Sequence, residues 1–238
     1  MSLGEHIENL GMVLNSAVSY LRGEAKYEIN GETYKYRSSF LRGYWEAEYF
    51  FQTESAIYED AISELEDGDV FYDVGANLGF FTCIMAREGA EAFSFEPDPL
   101  TADELRKNLD RNSIEASVFE YAISNRDAEG ELELKRGPNG TESLTQNGKN
   151  TVSVDTRKLD SLDIPPPDIV KIDTEGHETQ VLEGMEETLA EKALLYVEAH
   201  GDQQLSSIED ILSEEGYRTE IMFAREDGNY FLKAASSN

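Results

Sequence analysis

The sequence predicts an α/β fold built on a mostly parallel sheet. Three observations lead there. From residue 70 onward, short apolar runs alternate with stretches of helical periodicity, the pattern that lays parallel strands into a sheet with helices on both faces. The first run, Val70-Phe71-Tyr72, ends in Asp73 and a glycine turn, Gly75 to Gly79, that opens the next helix. The length, 238 residues with 39% hydrophobic, suits one such domain and supplies its core.

Taken in order, residues 4–22 place Ile7, Leu10, Val13, Leu14, Val18 and Leu21 at helical spacing, an amphipathic helix. YEINGETYKYR at 27–37 alternates about Asn30-Gly31, a type I′ hairpin signal. The aromatic stretch Phe40 to Phe51 reads as a cover over the core, with part of a substrate pocket as its functional alternative. Residues 54–65 read as a helix leading into the first core strand. Strands are expected at 70–74, 91–96, 117–121, 168–173 and 193–199, and helices at 79–87, 100–112, 177–190 and 204–215. The segment 131–160 breaks the rhythm and reads as added antiparallel strands around a turn at 137–140. Asp227-Gly228 between two alternating runs marks a terminal hairpin, and residues 234–238 read as a frayed tail. The expected division is an N-terminal helix and hairpin extension, 1–53, packed on a core domain, 54–238.

Charge excludes several function classes. The chain has 49 acidic against 20 basic residues, a net charge of −29, and the acids are spread along its length. Such a surface repels nucleic-acid backbones, so no nucleic-acid partner is expected, and it fits a halophile's cytoplasmic protein kept hydrated in concentrated salt. The single cysteine, Cys83, cannot form a disulfide within the chain and reads as a small apolar helix residue. No basic segment followed by an apolar one marks a signal peptide, and no apolar stretch is long enough to span a bilayer.

The glycine turn points to a ligand. Gly75 and Gly79 are four apart, which is neither the GxGxxG turn nor a Walker loop, and no Lys or Arg lies between residues 70 and 86 to meet a phosphate. Asp73 places a carboxylate where a phosphate would otherwise sit. Glu96 ends the next strand, 21 residues after Gly75, where an acid holds ribose hydroxyls in nucleotide-binding βαβ units. An adenosyl compound carrying a positive charge, S-adenosylmethionine, fits both features. A nicotinamide-dependent oxidoreductase is the competing enzyme class, weakened by the spacing and by the lack of phosphate-binding groups.

Two further segments, DIVKIDTEGHE (168–178) and YVEAHG (196–201), end strands in clustered acids and histidines. Ligands of open α/β sheets bind at the carboxyl ends of strands. Together DVGANLGFFT, FEPDP, DIVKIDTEGHE and YVEAHG resemble the FkbM family of S-adenosylmethionine-dependent methyltransferases over about residues 54–201. The resemblance implies a class I Rossmann-like methyltransferase with a seven-stranded sheet ending in an antiparallel hairpin. It implies cofactor contacts at Asp73, Gly75, Asn77, Gly79 and Glu96, and an adenine seat beside Ala122 in Tyr121 to Ser124. Asp173, Glu175 and Gly176 match the family's Asp-x-Glu-Gly signature, and many members methylate oxygen on sugars.

Methyl transfer to a hydroxyl needs alignment and an acceptor for the proton. Asp173 is the first candidate for that base, Glu175 stands beside it, and His200 is the second base candidate. His6 reads as a surface residue, and His177 either crowds Asp173 and Glu175 or sits on the exposed side of its helix. Asp173, Glu175, His177, Glu198 and His200 include metal-donor atoms, yet no HxxxH or Cys cluster is present, and no obligatory metal is expected. The expected partner is a sugar or glycan acceptor, free or lipid-linked. A hexuronic acid methylated at its carboxyl is the alternative, with Lys171, Arg157, Arg136 or Lys158 as its anion-binding residue. A non-catalytic binding protein with a methyltransferase fold is the third reading. The first helix and the aromatic stretch are the candidates for a homo-oligomer face.

Overall fold

The computed structural model describes residues 25–36, 54–133, 143–144, 151–225 and 228–236. The expected first helix, with His6, and the aromatic stretch Phe40 to Phe51 lie outside the described residues, as do Arg136 and the turn at 137–140.

A hairpin of β1 (Ala25–Ile29) and β2 (Glu32–Tyr36) comes first. Asn30 and Gly31 both have positive φ, 51° and 81°, as a type I′ turn requires. Tyr34 and Tyr36 are buried in the core beneath it, and Asn112 ties the hairpin down by bonding the backbone N–H and C=O of Lys35.

After α1 (Ser55–Glu64), strands and helices alternate through β3 (Val70–Val74), α2 (Phe80–Arg87), β4 (Glu91–Phe95), α3 (Pro99–Asn112) and β5 (Ser117–Phe119). A second group of strands, β6 (Tyr121–Ile123), β7 (Ala128–Glu133), β8 (Ser143–Leu144) and β9 (Thr151–Arg157), precedes the return to β10 (Ile169–Ile172), α4 (Glu178–Glu183), α5 (Glu186–Ala190), β11 (Leu194–His200) and α6 (Asp202–Glu214). The described chain ends in β12 (Tyr217–Ala224) and β13 (Asn229–Ser236). Seven strands form one sheet in the order β12-β13-β11-β10-β3-β4-β5. β13 runs antiparallel to β11 and β12, and the other neighbours are parallel.

Side-chain alternation explains the layers. On β3, Phe71 packs with α1, α2 and α3 on one face, while Tyr72 and Val74 pack with α4, α5 and α6 on the other. A strand buried on both faces reads as a continuous apolar run. The chain leaves β3 toward β4 and β5, then returns to the opposite side of β3 as β10. The switch point between β3 and β10 is where such sheets hold ligands.

Three expectations are corrected. The strand expected at 117–121 is two: β5 closes the edge of the large sheet, while β6 pairs with β9 in a separate sheet of order β6-β9-β7-β8. The helix expected at 177–190 breaks at Gly184. A Cβ there would lie 2.0 Å from the Ser124 carbonyl oxygen, and Asp160 caps a new start by accepting from the backbone N–H of Glu187 and Thr188. The frayed tail is also corrected, because Ala234 is fully buried in β13.

Candidate active site

The strand tips of β3, β4 and β10 enclose a crevice of about 690 Å³, counted to its open mouth. Its floor begins at the glycine turn. Gly75 has φ +77°, and a Cβ there would lie 1.8 Å from the Asp173 carbonyl oxygen. Only glycine lets the turn pass this close to the end of β10. The backbone N–H groups of Gly75 and Ala76 donate to Phe95 O at 3.0 and 3.1 Å, which draws the turn against the tip of β4.

Glu96 stands at that tip and lines the crevice. Its Oε2 accepts from Asn77 N at 2.9 Å and its Oε1 from Asp98 N at 3.0 Å. Two backbone donors thus fix the carboxylate, and each oxygen keeps a lone pair for a ligand hydroxyl. Burial pushes the Glu96 carboxyl up to about 7, against the pull of those two N–H groups. Phe95, Pro97, Tyr121, Ala122 and Ile123 give this end of the crevice an apolar wall.

Asp73 has a different place from the one expected. It is fully buried beneath the turn and is not a wall of the crevice. Its Oδ2 accepts from Thr82 N at 3.0 Å and Thr82 Oγ1 at 2.6 Å, and its Oδ1 lies 3.4 Å from Lys171 Nζ. The carboxylate anchors the start of α2 and holds the turn from below; the physical reason is that the helix N-terminus claims it. Gly79 also lies off the crevice, facing Leu105 with φ +79° at the N-cap of α2. Asn77 and Ala122 line the crevice, as does the backbone of Gly75.

The opposite wall is the turn after β10. Asp173, Thr174 and Glu175 line it, with Glu175 at φ +56° and Gly176 at +104°. Glu178, fully buried, shapes this turn: its Oε1 accepts from Thr174 N at 2.8 Å, Thr174 Oγ1 at 3.1 Å and Gly176 N at 3.1 Å. Lys171 links the two walls. It donates to Gly75 O at 3.0 Å and lies 3.4 Å from Asp73 and 3.5 Å from Asp173. Burial alone would lower its proton affinity, but Asp173, Asp73, Glu54 and Glu198 outweigh that and raise it.

Behind Asp173 lies a charged group that draws on distant parts of the chain. His200 sits 3.3 Å from Glu178, 3.6 Å from Glu175 and 3.9 Å from Glu198. Burial would lower its proton affinity, but Glu178 foremost, with Asp173 and Glu198, pushes it up to about 9. Its raised proton affinity favours the charged ring paired with Glu178, and Asp173 stands ahead of it as the candidate base. Arg225 bridges Glu198 at 2.5 Å and Glu54 at 2.6 Å. Asp173, Glu175 and His200 also bring potential metal-ligand atoms within 4.8 Å of one another.

The sequence signal missed some of these residues. Of the two places open to His177, the structure has it in the crevice lining, paired with Ser124, whose part no local pattern announced. Glu54 and Arg225 lie 171 positions apart, and no local pattern announces their contact. Thr82 had a signal, as a hydroxyl in the first turn of the helix that follows Asp73. Of the expected anion-binding residues, Lys171 is buried among carboxylates, and Arg157 sits 3.2 Å from Asp155 and 5.9 Å over the Tyr121 ring. Cys83 is buried as expected, its thiol pushed up to about 12 by burial. Among the described residues no helix is long and apolar enough to cross a membrane.

The sheet order, the switch-point crevice and the glycine turn are those of class I S-adenosylmethionine-dependent methyltransferases. Solved structures share the fold. The FkbM methyltransferase of Methylobacillus flagellatus matches with a TM-score of 0.57 at 17% identity, over 71% of this chain and 44% of its own. Magnesium protoporphyrin IX methyltransferase of Synechocystis, solved with bound S-adenosylmethionine, matches at 0.55 and 12% identity, over 84% and 86%.

A family model described as the methyltransferase FkbM domain matches residues 73–219, and the chain belongs to that family of S-adenosylmethionine-dependent methyltransferases. Hexuronic acid methyltransferase AglP of Haloferax volcanii is 32% identical over 176 residues, covering 72% of each chain. The 2-O-methyltransferase NoeI of Sinorhizobium fredii is 30% identical over 176 residues, covering 63% of this chain and 70% of its own.

Proposed function

We propose that this enzyme moves a methyl group from S-adenosylmethionine to a hydroxyl oxygen of a sugar, with Asp173 as the proton acceptor. The observation that carries the reading is the wall opposite Glu96. There two carboxylates, Asp173 and Glu175, face the crevice, and no Lys or Arg is among the described residues that line it. Such a wall accepts protons and hydrogen bonds from hydroxyls and repels anions.

The residues present fit the cofactor. Gly75 brings backbone to the crevice floor without a side chain in the way. Glu96, braced by two N–H groups, suits a ribose diol, and the apolar wall of Phe95, Tyr121 and Ile123 suits a purine face. When bound, S-adenosylmethionine supplies a methyl group on a sulfonium, an electrophile with a neutral leaving group. The protein's own part is alignment and proton removal. Lys171 holds Asp173 and the Gly75 carbonyl in one arrangement, which fixes the base relative to the turn. Glu175, held beside His200, is placed to bind a neighbouring hydroxyl. Positioning of this kind lowers barriers by about 7–11 kcal/mol in the best intramolecular cases.

The relatives support a sugar acceptor: one is named as acting on a hexuronic acid and the other as a 2-O-methyltransferase. The first relative also favours a second reading, transfer to a hexuronic acid's carboxylate, which would need a cation on the acceptor side and no base. Isothermal calorimetry in concentrated salt tests the cofactor half. S-adenosylhomocysteine binds and nicotinamide dinucleotide does not; a chain that binds the dinucleotide instead, or neither compound, contradicts the proposal.

A further inference from the structure

Strand pairing gathers charge on one face of the sheet. On β10, Lys171 stands opposite Asp73 of β3 and Tyr196 of β11. Side chains two apart on a strand share a face, so Asp173 and Glu198 follow on that same face at neighbouring strand ends. Glu54, at the N-cap of α1, joins the group. Asp173, Asp73, Glu54 and Glu198 are the charges that hold Lys171 protonated against its burial.

Lys171 has one ammonium for these four acids. It sits between Asp73 and Asp173 and donates to the Gly75 carbonyl. Arg225 meets the other two, with Nη1 2.5 Å from Glu198 and Nη2 2.6 Å from Glu54. One planar fork thus serves two carboxylates, which a single ammonium does less well. Both acids are buried, 3% and 8% exposed. Buried carboxylates left without a cation draw whatever positive charge lies near. The last hairpin fixes the arginine: Arg225 N donates to Asn229 O at 2.7 Å, and Asn229 Nδ2 donates to Glu198 at 3.2 Å.

We propose that Arg225 is a positioning residue for methyl transfer: by holding Glu54 and Glu198 it leaves Lys171 to Asp173 and the glycine turn, and so keeps the acceptor-side acid in place. The inference rests on the reading of Asp173 as the base. Arg225 and the two acids it bridges do not line the crevice, so the residue acts through Lys171 and not on the substrate. Without the arginine, Glu198 and Glu54 pull Lys171 toward themselves, and Asp173 loses the tie that aims it. The terminal hairpin thereby takes part in the chemistry.

Initial rates of label transfer from methyl-labelled S-adenosylmethionine to a saccharide extract in concentrated salt test it on the full chain. Melting temperatures set conditions in which each variant is folded. Arg225→Gln lowers the rate about tenfold or more, a part of what a general base contributes, while S-adenosylhomocysteine binds as it does to the wild type. Arg225→Lys, which keeps the charge and loses the fork, recovers part of the rate. In Asp173→Asn, where the base is already gone, Arg225→Gln brings no further loss; a merely structural role would slow both backgrounds alike. A crystal structure of Arg225→Gln shows Lys171 Nζ drawn from Asp173 toward Glu198. Should Arg225→Gln not fold, Arg225→Lys carries the same comparisons with a smaller loss. A wild-type rate in Arg225→Gln, an equal loss in the Asp173→Asn background, or an unmoved Lys171 overturns the inference. If Asp173→Asn alone transfers at the wild-type rate, it is the base assignment that falls, and the inference with it.

Discussion

Asp173 is the residue on which the proposed chemistry turns, and its neighbours define what its loss should do. It lines the crevice and lies 3.5 Å from a lysine that also holds the glycine turn. Asp173→Asn keeps the size and removes the proton acceptor. Turnover should fall on the order of 10²–10⁴-fold, the usual contribution of a general base, while affinity for S-adenosylhomocysteine changes little. A loss of less than about tenfold would instead favour an acceptor that is already ionised. His200 makes a second prediction, through pH. Its pKa is raised from 6.5 to about 9 in the folded chain, so its ion pairs add stability in full below pH 6.5 and lose it as pH rises through 9. The melting temperature should drop across that window, and His200→Asn should flatten the drop. An equal drop in the variant would place the pH dependence elsewhere.

At the scale of elements, the fold was largely legible because strand and helix periods are local properties. The 70–74 run, the glycine turn and the Asn30-Gly31 hairpin each carry their geometry in a few adjacent residues. What escaped was set by tertiary packing. Nothing within 117–123 shows that the chain changes sheets after Phe119, since the partner that claims Tyr121 to Ile123 is β9, more than 30 residues on. The break at Gly184 depends on Ser124 and Asp160. In the site, Glu96 was readable from spacing, but the burial of Asp73 and the Arg225 bridge were not, because residue type does not tell which way a strand-end side chain turns. Gly75 offers the test at this scale. Gly75→Ala adds a Cβ 1.8 Å from the Asp173 carbonyl and forces a side chain onto φ +77°. The cost is on the order of 3 kcal/mol or more, read as a lower melting temperature together with loss of cofactor binding. A variant that melts and binds like the wild type would show that the turn does not approach β10 this closely.

The whole molecule carries a net charge of −29, and several of its described cations sit in ion pairs, such as Lys107 with Asp103 and Arg87 with Glu32. Self-repulsion on that scale destabilises the compact state. Screening relieves it, since the Debye length shrinks from about 10 Å at 0.1 M salt to about 3 Å at 1 M. Scanning calorimetry should show the melting temperature climbing steeply with potassium chloride; a flat profile would mean that the acidic surface does not govern stability. Catalysis should follow the same salt dependence, because the crevice is assembled from strand tips that only the folded sheet brings together.

The most direct measurement combines the enzyme, S-adenosylmethionine labelled in its methyl group, and a saccharide extract in concentrated salt. The label should pass to the saccharide fraction and resist mild alkali, as a methyl ether does. Label released as methanol by alkali would identify a methyl ester and a carboxylate acceptor. No transfer to any saccharide would contradict the proposed function outright.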